Sequence, residues 1–466
     1  MFKFSLFKVK FLSSPLTKTC LCIVVGLLIA LLGYQIRLHQ FRDFPPLGDT
    51  FDEVKAPFNG INLIQKGIPI SWSWYDEYGE FPVQKIRGTD FRLVQPWFDE
   101  PPLFSLVAGA YSISKGMDTE EKVDAGVLRY PMVKLAAFNI FALFLIILIL
   151  RNFIEASLAS LIYATEPTMV FGSRLPVSDN FLVSIILITL LFLIFYLKKQ
   201  KWYLLGVLAI LSSSGLLIKS TGIFIPMAII FLLGAHRKFK QALLVAGFMF
   251  IAFGGWLYYG YYYNWDVFSK IFVVSSGREL FKPDIIIHLF DTFRIGEKSM
   301  NYDGWLMWGW ISVVAYSFIN RDSHKSILSR ITLPVVVGSY LVFFSIMSGH
   351  AKGWYRFPFF PFLSWASAAF FIEIVKNPRF LFTFFFITIP VFSSYIYGNG
   401  VKRWSNMEIK IYQLVFVLLM SLPMLYELFQ NKYFKMAVQV ILISAFIIAI
   451  IFNIRTIYSF QDHFWY

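Results

Sequence analysis

Long uncharged apolar runs alternate along the chain with short polar segments that hold most of its basic residues. A helix needs roughly 20 apolar residues to cross the hydrocarbon core of a bilayer, and a helix satisfies its backbone hydrogen bonds internally. On that measure the pattern predicts about thirteen spans, near 20–36, 131–150, 154–171, 178–197, 203–218, 221–235, 241–262, 305–320, 331–348, 358–375, 380–397, 408–429 and 436–454. The expected fold class is an all-α polytopic membrane protein, one membrane-embedded domain over 1–466 with no separate soluble domain.

The polar segments give the expected orientation. Lys3, Lys8, Lys10 and Lys18 precede the first run, which holds the N-terminus in the cytoplasm. Alternation then puts "KKQK" (198–201), "HRKFK" (236–240), "NRDSHKSILSR" (320–330), "KNPR" (376–379) and "NKYFK" (431–435) on the same side. A single miscounted span would flip the basic loops after it. Two long extracytoplasmic loops are expected, at 37–130 and 263–304, with short turns at 172–177, 349–357 and 398–407. The aqueous chemistry of this chain is therefore expected on the outer face of a cell (plasma or inner) membrane.

Composition agrees. Of 466 residues, 57% are hydrophobic, 19% aromatic and 15% charged, against about 25% charged in soluble domains. Mean hydropathy is +0.63. The net charge of +14 sits between apolar runs, which is a topology signal and excludes a nucleic-acid-binding stripe. Cys20 and Cys22 lie two apart inside the first run, point to different helix faces and form no disulfide framework or zinc motif. The absence of any N-x-[ST] site favours a bacterial or archaeal membrane.

The first outer loop carries the candidate chemistry. After "TFDE", Val54, Phe58, Ile61 and Ile64 recur at helical spacing, predicting an interfacial helix that ends at Gly67. "PPLFSLVAGAYSISKG" predicts a second one, too short to span. Asp52 and Glu53 open the first helix, and Asp99 and Glu100 stand before the second. Each pair reads either as a helix cap or as a working carboxylate at headgroup depth. Arg129 ("LRYP"), Arg174 and Asp179 ("SRLPVSD"), Lys219 ("LIKSTG"), and His350, Tyr355 and Arg356 ("GHAKGWYRFPFFP") fall at the same expected depth. The cations read either as lipid anchors or as phosphate contacts. Trp72, Trp74, Tyr75, Trp97 and "YYGYYYNW" (258–265) read as interfacial aromatics, with sugar stacking as the other use of such rings.

Taken in order, "FDE", the acidic-PPLF motif, "LRYP", "SR…SD", "LIKSTG" and "WYRFPFFP" resemble the GT-C glycosyltransferases over about residues 45–365. The nearest groups are the lipid A aminoarabinose transferases and protein O-mannosyltransferases. This resemblance implies transfer of a sugar from a polyprenyl-phosphate donor in the outer leaflet to a lipid, protein or cell-envelope glycan acceptor. It implies Asp52 as the base, with Glu53 and Asp99 beside it, and Asp179 as a second acidic position. The residue before the prolines is often Lys or His in such proteins, whereas here it is Glu100. Arg129, Arg174, Lys219 and Arg356 are the expected donor-phosphate contacts, with Glu100, Asp179, His350 and Tyr355 as further site candidates. A divalent metal, held by Asp99 with His288 or His350, could share the phosphate's charge. The alternative function is a transporter or flippase for a lipid-linked or anionic substrate, which calls for ionisable residues inside spans. Glu166 is the main one found.

Overall fold

A computed structural model describes residues 15–45, 50–276, 303–319, 326–347, 353–398 and 406–459. The chain is a helical, multi-pass membrane protein. Among these residues seven helices are long and apolar enough to cross a membrane: Thr19–Leu38, Ala125–Leu150, Ser178–Lys199, Phe239–Ser275, Ile327–Ser345, Gly353–Lys376 and Lys432–Ser459. Most of the other expected spans fold as shorter apolar helices, including Phe153–Thr165, Trp202–Ile218, Ser220–Ala235, Phe380–Ile396 and Gln413–Phe429.

The shortening has local causes. The run expected at 154–171 breaks into α5 (Phe153–Thr165) and α6 (Pro167–Gly172) because Pro167 cannot continue the α5 ladder. Glu166 caps the new start, accepting from the backbone N–H of Thr168 at 3.0 Å and Met169 at 2.7 Å. The break leaves the carbonyls of the last turn of α5 without helical partners. Arg37, near the end of α1 (Pro15–Leu38), takes them up: it donates to the carbonyls of Tyr163 at 2.9 Å and Ala164 at 3.0 Å, and to Ser173 Oγ at 2.7 Å. The expected mid-span ionisable Glu166 is thus a cap beside a helix break.

The first long loop folds more elaborately than its pattern suggests. Between α2 (Asp52–Lys66) and α3 (Pro102–Ser114) lies a three-stranded antiparallel sheet of β1 (Ser71–Trp72), β2 (Val83–Ile86) and β3 (Thr89–Val94), in the order β1-β3-β2. Arg87 and Gly88, with φ of 51° and 84°, make the tight turn joining β2 to β3. Phe58, Trp72 and Phe91 pack the sheet onto α2, and the Trp97 indole donates to the Trp72 carbonyl at 3.1 Å. Trp72 and Trp97 are 3% and 0% exposed, so they are core residues of this loop and not interfacial anchors. Trp74, at 64% exposure, remains on the surface.

Helices α2 and α3 lie in direct backbone contact. A Cβ built at Gly60 would stand 1.8 Å from the Ser105 carbonyl oxygen, and one at Gly109 would stand 2.3 Å from the Gly60 carbonyl carbon. Only glycine at both positions allows this approach. From α4 (Ala125–Leu150) the chain continues through α5 and α6 to α7 (Ser178–Lys199), α8 (Trp202–Ile218), α9 (Phe224–Ala235) and α10 (Phe239–Ser276). At Asn264, where φ is −174°, α10 bends so that Phe268 packs edge-on to Phe98, centroids 5.4 Å apart. The later helices are α11 (Gly304–Ile319), α12 (Ile327–Met347), α13 (Phe360–Lys376), α14 (Phe380–Phe386), α15 (Phe392–Gly398), α16 (Asn406–Phe429) and α17 (Lys432–Ser459).

Candidate active site

Neither acidic pair in the first loop is a helix cap. The residues before α2 and α3, Phe51 and Pro101, carry no side-chain cap bond, and Pro101–Pro102 start α3 by fixing φ without needing donors. The carboxylates turn elsewhere. Asp52, on the first turn of α2, meets the Lys55 ammonium one turn along at 2.9 Å. The same ammonium lies 3.6 Å from Asp99 Oδ2 and 4.3 Å from the centroid of the Trp72 ring. Asp99 is held on its other sides by Ser73 Oγ, at 2.9 and 2.8 Å from its two oxygens, and by the Tyr78 hydroxyl at 2.9 Å.

A second arm is built around Lys219 in the α8–α9 turn. Gly215 and Gly222 close that turn, since a Cβ on Gly222 would sit 2.0 Å from the Gly215 carbonyl oxygen. The Lys219 ammonium is 2.5 Å from Asp179 Oδ2, 3.8 Å from Glu100 Oε1 and 4.0 Å from the Tyr355 ring centroid. Ser178 Oγ donates to Glu100 Oε1 at 3.0 Å. Asp99 and Glu100 therefore join two arms, Asp52–Lys55–Asp99 and Glu100–Lys219–Asp179, with four carboxylates around two ammonium groups.

Charge balance and burial set the protonation states. Burial raises Glu100 to about 7, against the pull of Lys219. Burial also raises Asp99, and Lys55, Ser73 and Tyr78 oppose it. Burial alone would lower both lysines, but the carboxylates outweigh it and hold Lys55 and Lys219 above the usual range. Of the acids, Asp52 and Glu100 keep side-chain exposures of 17% and 24%, whereas Asp99 keeps 6% and Asp179 none. Asp52 and Glu100 are the carboxylates an incoming molecule can reach.

Two expected site residues are corrected. Glu53 is fully buried and binds Arg129 through both oxygens, at 2.7 Å from Nε and 2.6 Å from Nη2. Arg129 also donates to the carbonyls of Phe41 at 3.2 Å, Arg42 at 3.3 Å and Pro45 at 2.6 Å. A guanidinium has five N–H groups, and these contacts use them, so none remains for a phosphate. These bonds tie α2 and the chain before it to α4. Arg174 lies apart from both lysine arms, donating to the Ile36 carbonyl at 3.2 Å. Arg356 is buried in the 3₁₀ segment Gly353–Phe359 beside Tyr355. His288 and His350 fall outside the described residues. Among the described residues no three His, Cys, Asp or Glu are grouped as metal ligands, and the Asp99 oxygens already have protein partners.

Lys55, Ser73 and Tyr78 were not expected from the sequence. Lys55 had a signal, a cation one helical turn after Asp52. Ser73 and Tyr78 reach Asp99 only through the sheet.

A family model described as dolichyl-phosphate-mannose-protein mannosyltransferase matches residues 102–259, which include Arg129, Arg174, Asp179 and Lys219. No curated protein sequence matches the chain. Among solved structures, ArnT from Cupriavidus metallidurans bound to undecaprenyl phosphate superposes with a TM-score of 0.52 at 12% identity, covering 96% of this chain and 78% of that one. Apo ArnT gives 0.50 at 12% identity, covering 94% and 77%. The oligosaccharyltransferase of Archaeoglobus fulgidus in the apo form gives 0.50 at 11% identity, covering 93% of this chain and 56% of that one. This chain thus spans little more than half the length of the oligosaccharyltransferase.

Proposed function

Because this chain has the fold of the GT-C glycosyltransferases, we propose that it transfers a sugar from a polyprenyl-phosphate carrier to an acceptor hydroxyl, on the extracytoplasmic face. The observation that carries the proposal is the two-armed cluster, in which reachable carboxylates stand next to ammonium groups at the loop end of the bundle. Such a transfer needs a base for the acceptor and a cation for the departing phosphate. Asp52 takes the acceptor's proton as the acceptor oxygen bonds to the anomeric carbon. The bond from that carbon to the phosphate oxygen breaks, and its electron pair leaves with the polyprenyl phosphate. Lys219 and Lys55 offset the phosphate charge.

An apolar groove of about 480 Å³ between α9 and α12 supports a lipid-linked donor. Met227, Phe231, Pro334, Gly338 and Val342 line it. Between it and the cluster pack the buried rings of Phe224 and Tyr340, 4.5 Å apart, and the Tyr340 hydroxyl donates to the Tyr355 carbonyl at 2.7 Å. The sugar, and whether the acceptor is a lipid, a protein or an envelope glycan, are left to the assay.

The test is sugar transfer by purified protein given a polyprenyl-phosphate sugar, comparing wild type with Asp52→Asn. The substitution keeps shape and removes basicity. Transfer is expected to fall by about 10²–10⁴-fold, the usual weight of general-base help, with polyprenyl-phosphate binding retained. Transfer within a few-fold of wild type would reject Asp52 as the base.

A further inference from the structure

Three buried arginines gather where α1, the α5–α7 region and the start of α4 meet. Two are fully provided for. Arg37 donates to backbone carbonyls and Ser173, and Arg129 to Glu53 and further carbonyls. Arg174 is not. It is 0% exposed, yet among the described residues only Nη2 has a partner, the Ile36 carbonyl, while Nε and Nη1 have none. Phe171 covers it at 5.0 Å from its ring centroid. No carboxylate lies within ion-pair distance of Arg174 among the described residues; Arg37 and Arg129 repel its charge and Tyr458 favours it.

A guanidinium stays protonated in proteins, and a buried charge without a counter-charge is among the costliest features a fold can carry. His39 lies beside it, its imidazole feeling the Arg174 charge and its Nε2 also buried without a partner among the described residues. The His39 ring packs on Tyr458, at the end of α17, with centroids 4.6 Å apart. Tyr458 is 50% exposed, so this corner borders the surface. Nε carries one N–H and Nη1 two. These three unmade donors, with the second N–H of Nη2, suit an anion with several oxygens at tetrahedral angles better than a chloride or a single carboxylate oxygen.

We propose that Arg174, with His39 beside it, forms a second anion site that binds a phosphate group where α1, the α6–α7 turn and the end of α17 meet. The site is separate from the Lys55 and Lys219 arms and does not depend on the transfer reaction. Its phosphate can belong to a lipid headgroup or be free in solution, and both supply the same oxygens.

Thermal unfolding of delipidated protein in detergent distinguishes the sources. One arm adds inorganic phosphate at constant ionic strength against chloride, and the other adds phosphatidylglycerol against dioleoylglycerol, which lacks the phosphate. A ligand that binds only the folded state raises the midpoint in proportion to its occupancy. Wild type is expected to gain several degrees in at least one arm, Arg174→Gln to lose that gain, and Lys85→Met, at an exposed lysine of β2, to keep it. A gain with phosphatidylglycerol alone assigns a headgroup site, and a gain in both arms assigns the phosphate group itself. No gain in either arm, or an equal gain in Arg174→Gln, overturns the proposal and leaves the guanidinium to water. Should Arg174→Gln fail to fold, Arg174→Lys, which keeps the charge but has fewer directed donors, is expected to need at least fivefold more ligand for the same gain. An unchanged dose response in that variant likewise overturns the site.

Discussion

Glu100 and Glu53 are acids of the same loop with opposite assignments, and their surroundings decide which is which. Glu100 keeps one accessible edge and faces a lysine at 3.8 Å, and burial moves its pKa to about 7. Because its folded pKa lies above the unfolded value of 4.5, the folded protein keeps a proton that the unfolded chain releases between those pH values. Stability should therefore fall as pH rises from about 4.5 to 7 and then level off, by about 1–3 kcal/mol. Glu100→Gln should remove the share of that slope due to Glu100 and leave the one due to Asp99, read as the unfolding midpoint against pH in detergent. Glu53 instead pairs with Arg129 through both carboxylate oxygens. Arg129→Met leaves a buried carboxylate alone and should cost about 3–5 kcal/mol, seen as lost folded yield; a variant that folds normally would return Arg129 to the list of phosphate contacts. The sequence displayed every acid of the cluster, because carboxylates are conspicuous beside apolar runs. It could not show that Glu53 is paired, or that Lys55 stands between Asp52 and Asp99. Those facts depend on residues 76 and 44 positions apart in the chain.

Helices were readable wherever packing and periodicity agree. The interfacial helix expected after "TFDE" forms as Asp52–Lys66 and ends at Gly67 with φ of 68°, the left-handed cap that its glycine suggested. The sheet between the two interfacial helices was not anticipated. Its strands are two, four and six residues long, separated by the Gly79 turn and the "RG" turn at 87–88. Strands so short are held by what they pack on, here Phe58 and Trp97, and carry little periodic signal of their own. The contact of α2 with α3 brings Asp52 to the start of the Asp99–Glu100 segment. Gly60→Ala should push these helices apart, because its methyl would collide with the Ser105 carbonyl oxygen. Overpacking of this kind costs about 1–3 kcal/mol. Transfer activity should fall further than stability, since both arms of the cluster shift. Equal small losses in both would mean that the helices tolerate the separation and that their registry does not position the carboxylates.

The bundle as a whole sets which side of the membrane the cluster faces. In the structure, Lys85 in the loop sheet and the cluster share one end with the α6–α7 and α8–α9 turns, while Lys199 and Lys376 close helices, and Lys432 opens one, at the opposite end. The alternation of basic segments predicts that this opposite end is cytoplasmic. One reading counts apolar runs and charges, and the other follows helices through space. They agree on which residues share an end, although several expected spans prove short or broken, because a break such as that at Pro167 does not reverse the chain's direction. Single cysteines at positions 85, 199, 376 and 432, all exposed, test the orientation in a background carrying Cys20→Ser and Cys22→Ser. A membrane-impermeant maleimide applied to intact cells should label position 85 alone, and permeabilised cells should label all four. Labelling of 199, 376 or 432 in intact cells would place the carboxylates and lysines in the cytoplasm. A sugar donor presented in the outer leaflet could not then reach Lys219, and the proposed transfer would have to be abandoned even with every distance in the cluster unchanged.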